Sequence, residues 1–337
     1  MSISARIEAW QFARPFAITG YTFHHVDVLV VTVQAVGHEG SGEAAGVYYL
    51  NDTVDRERAQ IEAIADRFAT PPSREELIEL LPAGGARNAV DCALWDLEAK
   101  VQGRPAWQIA GLPEPHPVLT TYTLGADEPN VMADHARAYT KARALKLKLT
   151  GTDDDAERVR AVRAARPDVW IAVDGNQGFN RASLEALMPV LVDAHVELLE
   201  QPFPRDRDAD MDGLDSPIPL AADESAQDLG DLEGLVGRFN IVNIKLDKCG
   251  GLTRGFAIAA RARELGLETM VGCMIGTSLS VAPGLLLGQI CKVVDLDAPI
   301  HLAQDRLPTV VYDEDGRVFS PPNVWGFPNA ASISTHS

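Results

Sequence analysis

The chain has 337 residues, room for one large barrel and a smaller domain. Hydrophobic residues make up 46% and charged ones 23%, a balance that builds a substantial core and excludes wholesale disorder. With 48 acidic against 30 basic residues the formal charge is −18, which argues against nucleic acid or an anionic membrane as partner. An anionic substrate stays open, because a bound cation inverts the local field.

The first residues lack the charged start, apolar run and cleavage site of a secretory signal, and no apolar stretch reaches membrane-spanning length. Cys92, Cys249, Cys273 and Cys291 are scattered without metal or redox spacing, which fits a reducing cytoplasm. Residues 4–12 alternate, 26–36 form a β-branched run, and 42–49 follow a Gly-Ser-Gly turn, so three strands are expected. Helical patterns follow at 54–68, 73–81 and 88–101, the last stopped by Gly103 and Pro105. Strands followed by helices imply a small α+β domain.

From Pro117 onward, short apolar runs alternate with amphipathic helices: 118–124, 144–149, 169–173, 196–199, 218–222, 241–244, 268–271 and 293–294. Their spacing is that of one βα unit, and eight in succession suit a closed parallel barrel, with a doubly wound open sheet as the alternative. Residues 308–327 contain a turn at 313–316 and are expected to return to the first domain; the tail from 328 is small and polar.

Most of these runs end in charge on the C-terminal side, the edge where barrels carry their chemistry. The second ends in Lys146 and Lys148, the third in Asp174 and Asn176, the fourth in Glu200, the fifth in Asp223 and Glu224. The sixth ends in Lys245 and the eighth in Asp295 and Asp297. Strands three to five are neighbours, so Asp174, Glu200 and Asp223 converge and would repel without a cation between them. An all-oxygen set favours a hard ion, Mg²⁺ first and Mn²⁺ second. Asn176 and Glu224 are expected to support these ligands from behind rather than bind the ion.

Strands two and six lie opposite each other in an eight-stranded ring, which sets Lys148 and Lys245 on facing walls. A carboxylate on the metal would hold its α-carbon between the two amines, with the ion stabilising the enolate formed by proton loss. Lys148 must be neutral to act as base, and the charges of Lys146 and the ion favour that. Lys146 is expected to bind the carboxylate. Asp295 and Asp297, across from the metal arc, would attract a cation such as an ammonium.

This constellation resembles the enolase superfamily in its muconate-lactonizing-enzyme subgroup, over nearly the whole chain. Gly42-Glu43-Ala44 is similar to the signature of that family's first domain, and Ala93-Leu94-Trp95-Asp96-Leu97 to the helix leading into its barrel. The resemblance implies a (β/α)7β TIM-like barrel over 116–300, capped by an α+β domain over 1–115. Residues 301–327 would complete the cap, ahead of a tail at 328–337. It implies the same metal, acid/base and carboxylate roles as the residues themselves. A homo-oligomer is expected.

Asp295-Leu-Asp297-Ala-Pro resembles the DxD element of dipeptide epimerases, whose two acids bind the substrate's α-ammonium. Asn243-Ile-Lys245-Leu-Asp247-Lys248 and Gly272-Cys273-Met274 point the same way, and Met274 and Gly276 become expected substrate contacts. The implied reaction is epimerisation of the C-terminal residue of an L-Ala-Xaa dipeptide. Members acting on Ala-Glu carry an arginine in the mobile loop of the first domain; within Ile18-Thr19-Gly20-Tyr21-Thr22-Phe23-His24 that place falls on Tyr21. A glutamate side chain would then be desolvated unpaired, so a neutral second residue is expected, unless His24 or His25 supplies the charge. Cycloisomerase, acylamino-acid racemase and o-succinylbenzoate synthase activities share the lysines and metal and remain alternatives, as does, more remotely, a non-catalytic metal-binding barrel. Asp208-Ala-Asp210-Met-Asp212-Gly213 mimics a calcium loop, but Pro219 stands where its bidentate glutamate belongs. Asp153–Asp155 reads as helix N-terminal charge.

Overall fold

A computed structural model describes residues 2–18, 21–69 and 72–329. Thr19, Gly20 and the tail from residue 330 lie outside these described residues. Strands Ser2–Ile18, Tyr21–Ala35 and His38–Ala44 form an antiparallel sheet in that order. The first two outrun their apolar patterns because hairpin pairing continues as far as Ile18 opposite Tyr21, with a register break between Gln11 and Phe16.

The third strand corrects the sequence reading. Gly40-Ser41-Gly42 lies inside it, where a Cβ on Gly40 or Gly42 would strike the backbone of Ala93 or Ala89. These glycines let the sheet sit directly on helix Gly85–Gln102 instead of turning the chain. The strand stops at Ala44, and Tyr48–Leu50 is a short 3₁₀ turn. Leu29, Val31 and Val33 bury one sheet face against Ala86, Val90 and Leu97 of that helix.

Eight parallel strands follow in sequence order: Tyr122–Leu124, Ala144–Lys148, Trp170–Asp174, Leu198–Glu200, Leu220–Ala222, Ile241–Lys245, Glu268–Gly272 and Val293–Asp295. The ends meet where Thr121 N–H donates to Val294 O at 3.1 Å, so the ring is a barrel and not an open doubly wound sheet. Helices occupy the connections, the fourth being the 3₁₀ segment Arg205–Met211, and none follows the eighth strand except the 3₁₀ turn Ala298–His301. The predicted run 118–124 is split: Val118–Leu119 leaves the barrel and pairs with Arg317–Phe319. The turn at 313–316 does form a hairpin, but that hairpin joins Val118–Leu119. The chain meets the first domain on both sides of that hairpin: Ala303 N–H donates to Gln11 O at 2.8 Å before it, and Trp325 Nε1 donates to Ser41 O and Cys92 O, both at 3.1 Å, after it.

Ala172, Leu198, Ala221, Ile241 and Met270 fill the barrel interior. The next inward position on each strand lies two residues on, and there the lining turns polar. Register sets Lys148 beside Asp174, Asp174 beside Glu200, and Gly272 between Lys245 and Asp295. The site is therefore a polar layer on an apolar plug.

Where the cap meets the barrel, Asp247 Oδ1 accepts from the backbone of Ala45 (2.9 Å) and Gly46 (3.2 Å). Beside it Glu57 is fully buried, with neither oxygen hydrogen-bonded. Burial, and then the charges of Asp52 and Asp247, push its carboxyl from 4.5 up to about 9. The unfolded chain ionises before the folded one, so this contribution to stability is complete below pH 4.5 and is lost as pH climbs toward 9. Glu57→Gln should flatten that alkaline loss, gaining about 1–3 kcal/mol over the wild type at pH 9 in denaturant melts. Parallel pH profiles for the two proteins would show that Glu57 is already ionised in the fold.

Candidate active site

Asp174 and Glu200 close the third and fourth barrel strands, and Asp223 follows the fifth. All three are buried, and one oxygen of each lies within 4.8 Å of the others; among the described residues no other such acid, His or Cys group occurs. Each is held from behind. Asn176 N–H donates to Asp174 Oδ1 (2.9 Å), Asn243 Nδ2 to Glu200 Oε1 (2.8 Å), and Lys248 Nζ to Asp223 Oδ1 (2.6 Å). Glu224 Oε2 and Asn176 Oδ1 are buried acceptors without a hydrogen-bond donor. Burial and the neighbouring carboxylates push Glu200 up to about 7 and Glu224 up to about 8. A compact set of hard oxygen acceptors with spare lone pairs fits a divalent cation.

Lys148 Nζ lies 2.7 Å from Asp174 Oδ2, and Lys245 Nζ 2.7 Å from Asp223 Oδ2. The two lysines therefore flank the carboxylates from opposite sides, and both line one cleft of about 900 Å³. Gly272 makes room for one of them, since a Cβ there would sit 3.1 Å from Lys245 Cε. Lys146 is set deeper, its Nζ 2.6 Å from Glu200, 3.1 Å from Asp174 and 2.8 Å from Asp295. Burial opposes the ammonium form of Lys146 and Lys245, but the acids around them outweigh it and raise both above the usual lysine range.

On the far wall Asp295 accepts from Thr121 Oγ1 and Lys146. Asp297 Oδ2 accepts from Thr123 N–H (2.6 Å) and stands 3.3 Å from His301 Nε2. Burial alone would raise Asp297, yet His301 and the Thr123 bonds hold it below the usual carboxylate range. Both acids line the same cleft as the lysines.

Asn176, Glu224 and Met274 also line this cleft. Gly276 does not; it packs against Ser280 and Glu43, whose carboxylate accepts from Thr277. Tyr21 is likewise off the wall, 47% exposed and stacked on Phe23, with its ring edge-on to Tyr48 4.7 Å away. The aromatic lining that sequence reasoning missed is Phe12, Phe16, Phe23, Tyr48, Tyr49 and His301. On paper the phenylalanines read as ordinary strand residues; a usable signal was the Tyr48-Tyr49 pair shortly after Gly42-Glu43-Ala44. Asp155 does more than the sequence reading gave it. It does open the helix Asp155–Ala165, as read, but it is completely buried and accepts from the N–H groups of Thr150, Gly151 and Thr152, so it also shapes the loop after Lys148. Asp208 accepts from Ser225 Oγ and Asp212 pairs with Arg238, as befits an ordinary acidic loop.

Known proteins resemble this chain over most of its length. Residues 2–111 match the family model for the mandelate racemase / muconate lactonizing enzyme N-terminal domain, and residues 131–324 the enolase C-terminal domain-like model. The L-Ala-D/L-Glu epimerase of Escherichia coli is 38% identical over 90% of this chain and 95% of its own length. An enolase family member from Agrobacterium tumefaciens with homology to dipeptide epimerases, solved with sodium and L-Ala-L-Glu and an ordered loop, superposes with a TM-score of 0.93. It is 40% identical and covers 96% of this chain and 99% of its own. A dipeptide epimerase from Enterococcus faecalis, complexed with Mg and L-Leu-L-Tyr, has TM-score 0.86 at 26% identity, over 96% of this chain and 98% of its own. With both halves matched and the barrel layer in register, the chain belongs to the mandelate racemase / muconate lactonizing enzyme family of the enolase superfamily.

Proposed function

We propose that the protein is a magnesium-dependent dipeptide epimerase that inverts the α-carbon of the C-terminal residue. The observation that carries this is the pair Lys148 and Lys245, set on opposite strands and opening onto one cleft beside the three clustered carboxylates. Asp174, Glu200 and Asp223 would hold the ion. When bound, it supplies positive charge to the substrate's carboxylate, where negative charge builds as the α-proton leaves. Lys146 is placed to anchor that carboxylate. A neutral Lys148 takes the proton from one face while Lys245, as ammonium, delivers one to the other; the reverse reaction exchanges their roles. Asp295 and Asp297, fixed by Thr121 and Thr123, receive the substrate's ammonium.

A neutral, apolar or aromatic second residue fits the wall of Phe23, Val26, Tyr48, Tyr49, Met274 and Ile275. The lysines of the cleft are all engaged with acids, and no arginine is among its described lining residues. The likenesses to the Escherichia coli and Agrobacterium tumefaciens proteins favour Ala-Glu as the competing substrate. An NMR screen of L-Ala-Xaa dipeptides in D₂O with Mg²⁺ decides between them: neutral Xaa should exchange its α-hydrogen fastest, and equal or faster exchange of Ala-Glu would refute the preference.

With the best dipeptide, Lys148→Ala and Lys245→Ala should each cut epimerisation by about 10²–10⁴-fold. Each variant should still exchange the α-hydrogen of the one diastereomer whose C–H faces the remaining lysine. Exchange of both diastereomers by either variant would mean a single base serves both faces.

Asp297→Asn should raise KM for dipeptides about 10–100-fold, the loss of one charged hydrogen bond, with a smaller effect on kcat. If turnover of N-acylamino acids exceeds that of dipeptides and Asp297→Asn leaves it unchanged, the acylamino-acid racemase reading replaces the dipeptide one.

A further inference from the structure

We infer that Phe16 and His301 form a partition that keeps the dipeptide's first side chain small, closing off a second compartment that carries a cation, Arg14. This deepens the dipeptide reading and rests on it. The second compartment lies against the catalytic cleft, and the two share Phe16, Thr123 and His301 as lining. Behind that shared wall stand Arg14, Asp127, His135 and Tyr139.

The partition is a built contact. The Phe16 and His301 rings meet at 4.7 Å, tilted by 56°, and Phe12 stacks on Phe16 at 6.2 Å. Backbone pairing pins the two segments together: Phe12 bridges Leu302, and Ala303 N–H donates to Gln11 O at 2.8 Å. The register break between Gln11 and Phe16 places Arg14 in a bulge of the first strand, beyond the rings. Among the described residues Arg14 makes no ion pair.

The first residue's ammonium and side chain leave the same α-carbon. An ammonium at Asp297 therefore keeps the root of that side chain close to the wall next to Asp297, where His301 Nε2 is 3.3 Å from Asp297 Oδ2. A methyl group can lie against the rings. A longer chain has nowhere to go unless a ring gives way, and a carboxylate that passed through would meet the Arg14 guanidinium.

The test uses α-hydrogen exchange of L-Ala-Xaa, L-Met-Xaa and L-Glu-Xaa, with Xaa the preferred second residue. The wild type should favour Ala-first over both longer residues by about 10-fold or more in kcat/KM. Phe16→Ala, which leaves the Asp297 contacts in place, should narrow both ratios about 10-fold. His301→Ala should narrow them too while also raising KM for the Ala-first substrate. Adding Arg14→Gln to Phe16→Ala should remove the gain for Glu-first and spare the gain for Met-first. Because ratios are compared, a general loss of folded protein moves no readout. Equal use of Glu-first and Ala-first by the wild type, or ratios unmoved by Phe16→Ala, would overturn the partition while leaving the epimerase reading standing. Exchange with no dipeptide at all would overturn that reading and the partition with it.

Discussion

The mouth of this barrel concentrates ionisable groups that water would otherwise solvate. Asp174, Glu200 and Asp223 lie within reach of one another, and Lys146, Lys148 and Lys245 are all in contact with them. Such a layer is tolerable only because opposite charges alternate and every carboxylate is steadied by a neighbour. A dication among three carboxylates carries the charge of two lysine protons. On the proposed mechanism its binding would let one lysine of the pair stand neutral as base while the other stays an ammonium to deliver a proton.

That balance explains the division of labour along the chain. The barrel strands fix the charged layer by register, over an interior of Ala172, Leu198, Ala221, Ile241 and Met270. The first domain supplies almost no charge to the cleft and most of its aromatic surface. Chemistry needs atoms held to fractions of an ångström, which a parallel ladder provides. Discrimination between substrates needs a shaped wall, and the hairpin with its bulge provides that. The two parts are joined by charged contacts such as Glu43 with Thr277 and Arg306, and Asp247 with the backbone of Ala45 and Gly46.

Much of the catalytic layer is legible in one dimension because its residues sit at strand ends with period two. Lys146 and Lys148 share a face of one strand, Asp174, Glu200, Lys245 and Asp295 each close a strand, and the order of strands sets who is opposite whom. The aromatic wall is not legible in that way. Phe12, Phe16 and Phe23 alternate like any half-buried strand, and only the docking of the hairpin on the barrel tells lining residues from packing residues. Gly40 and Gly42 misled for a related reason: a glycine tolerates a turn and a close helix equally well, and only the helix's position decides.

Composition, periodicity and charged strand ends alone determined a run of eight βα units with carboxylates and lysines at their C-terminal ends, favouring a barrel over an open sheet without closing it, since each of these follows from local geometry repeated along the chain. The tertiary structure decided the rest: that Tyr21 and Gly276 stand off the cleft, that Asp155 is buried, that His301 leans on both Asp297 and Phe16. Those are contacts between segments far apart in the chain, and no local pattern encodes a distance that only packing sets.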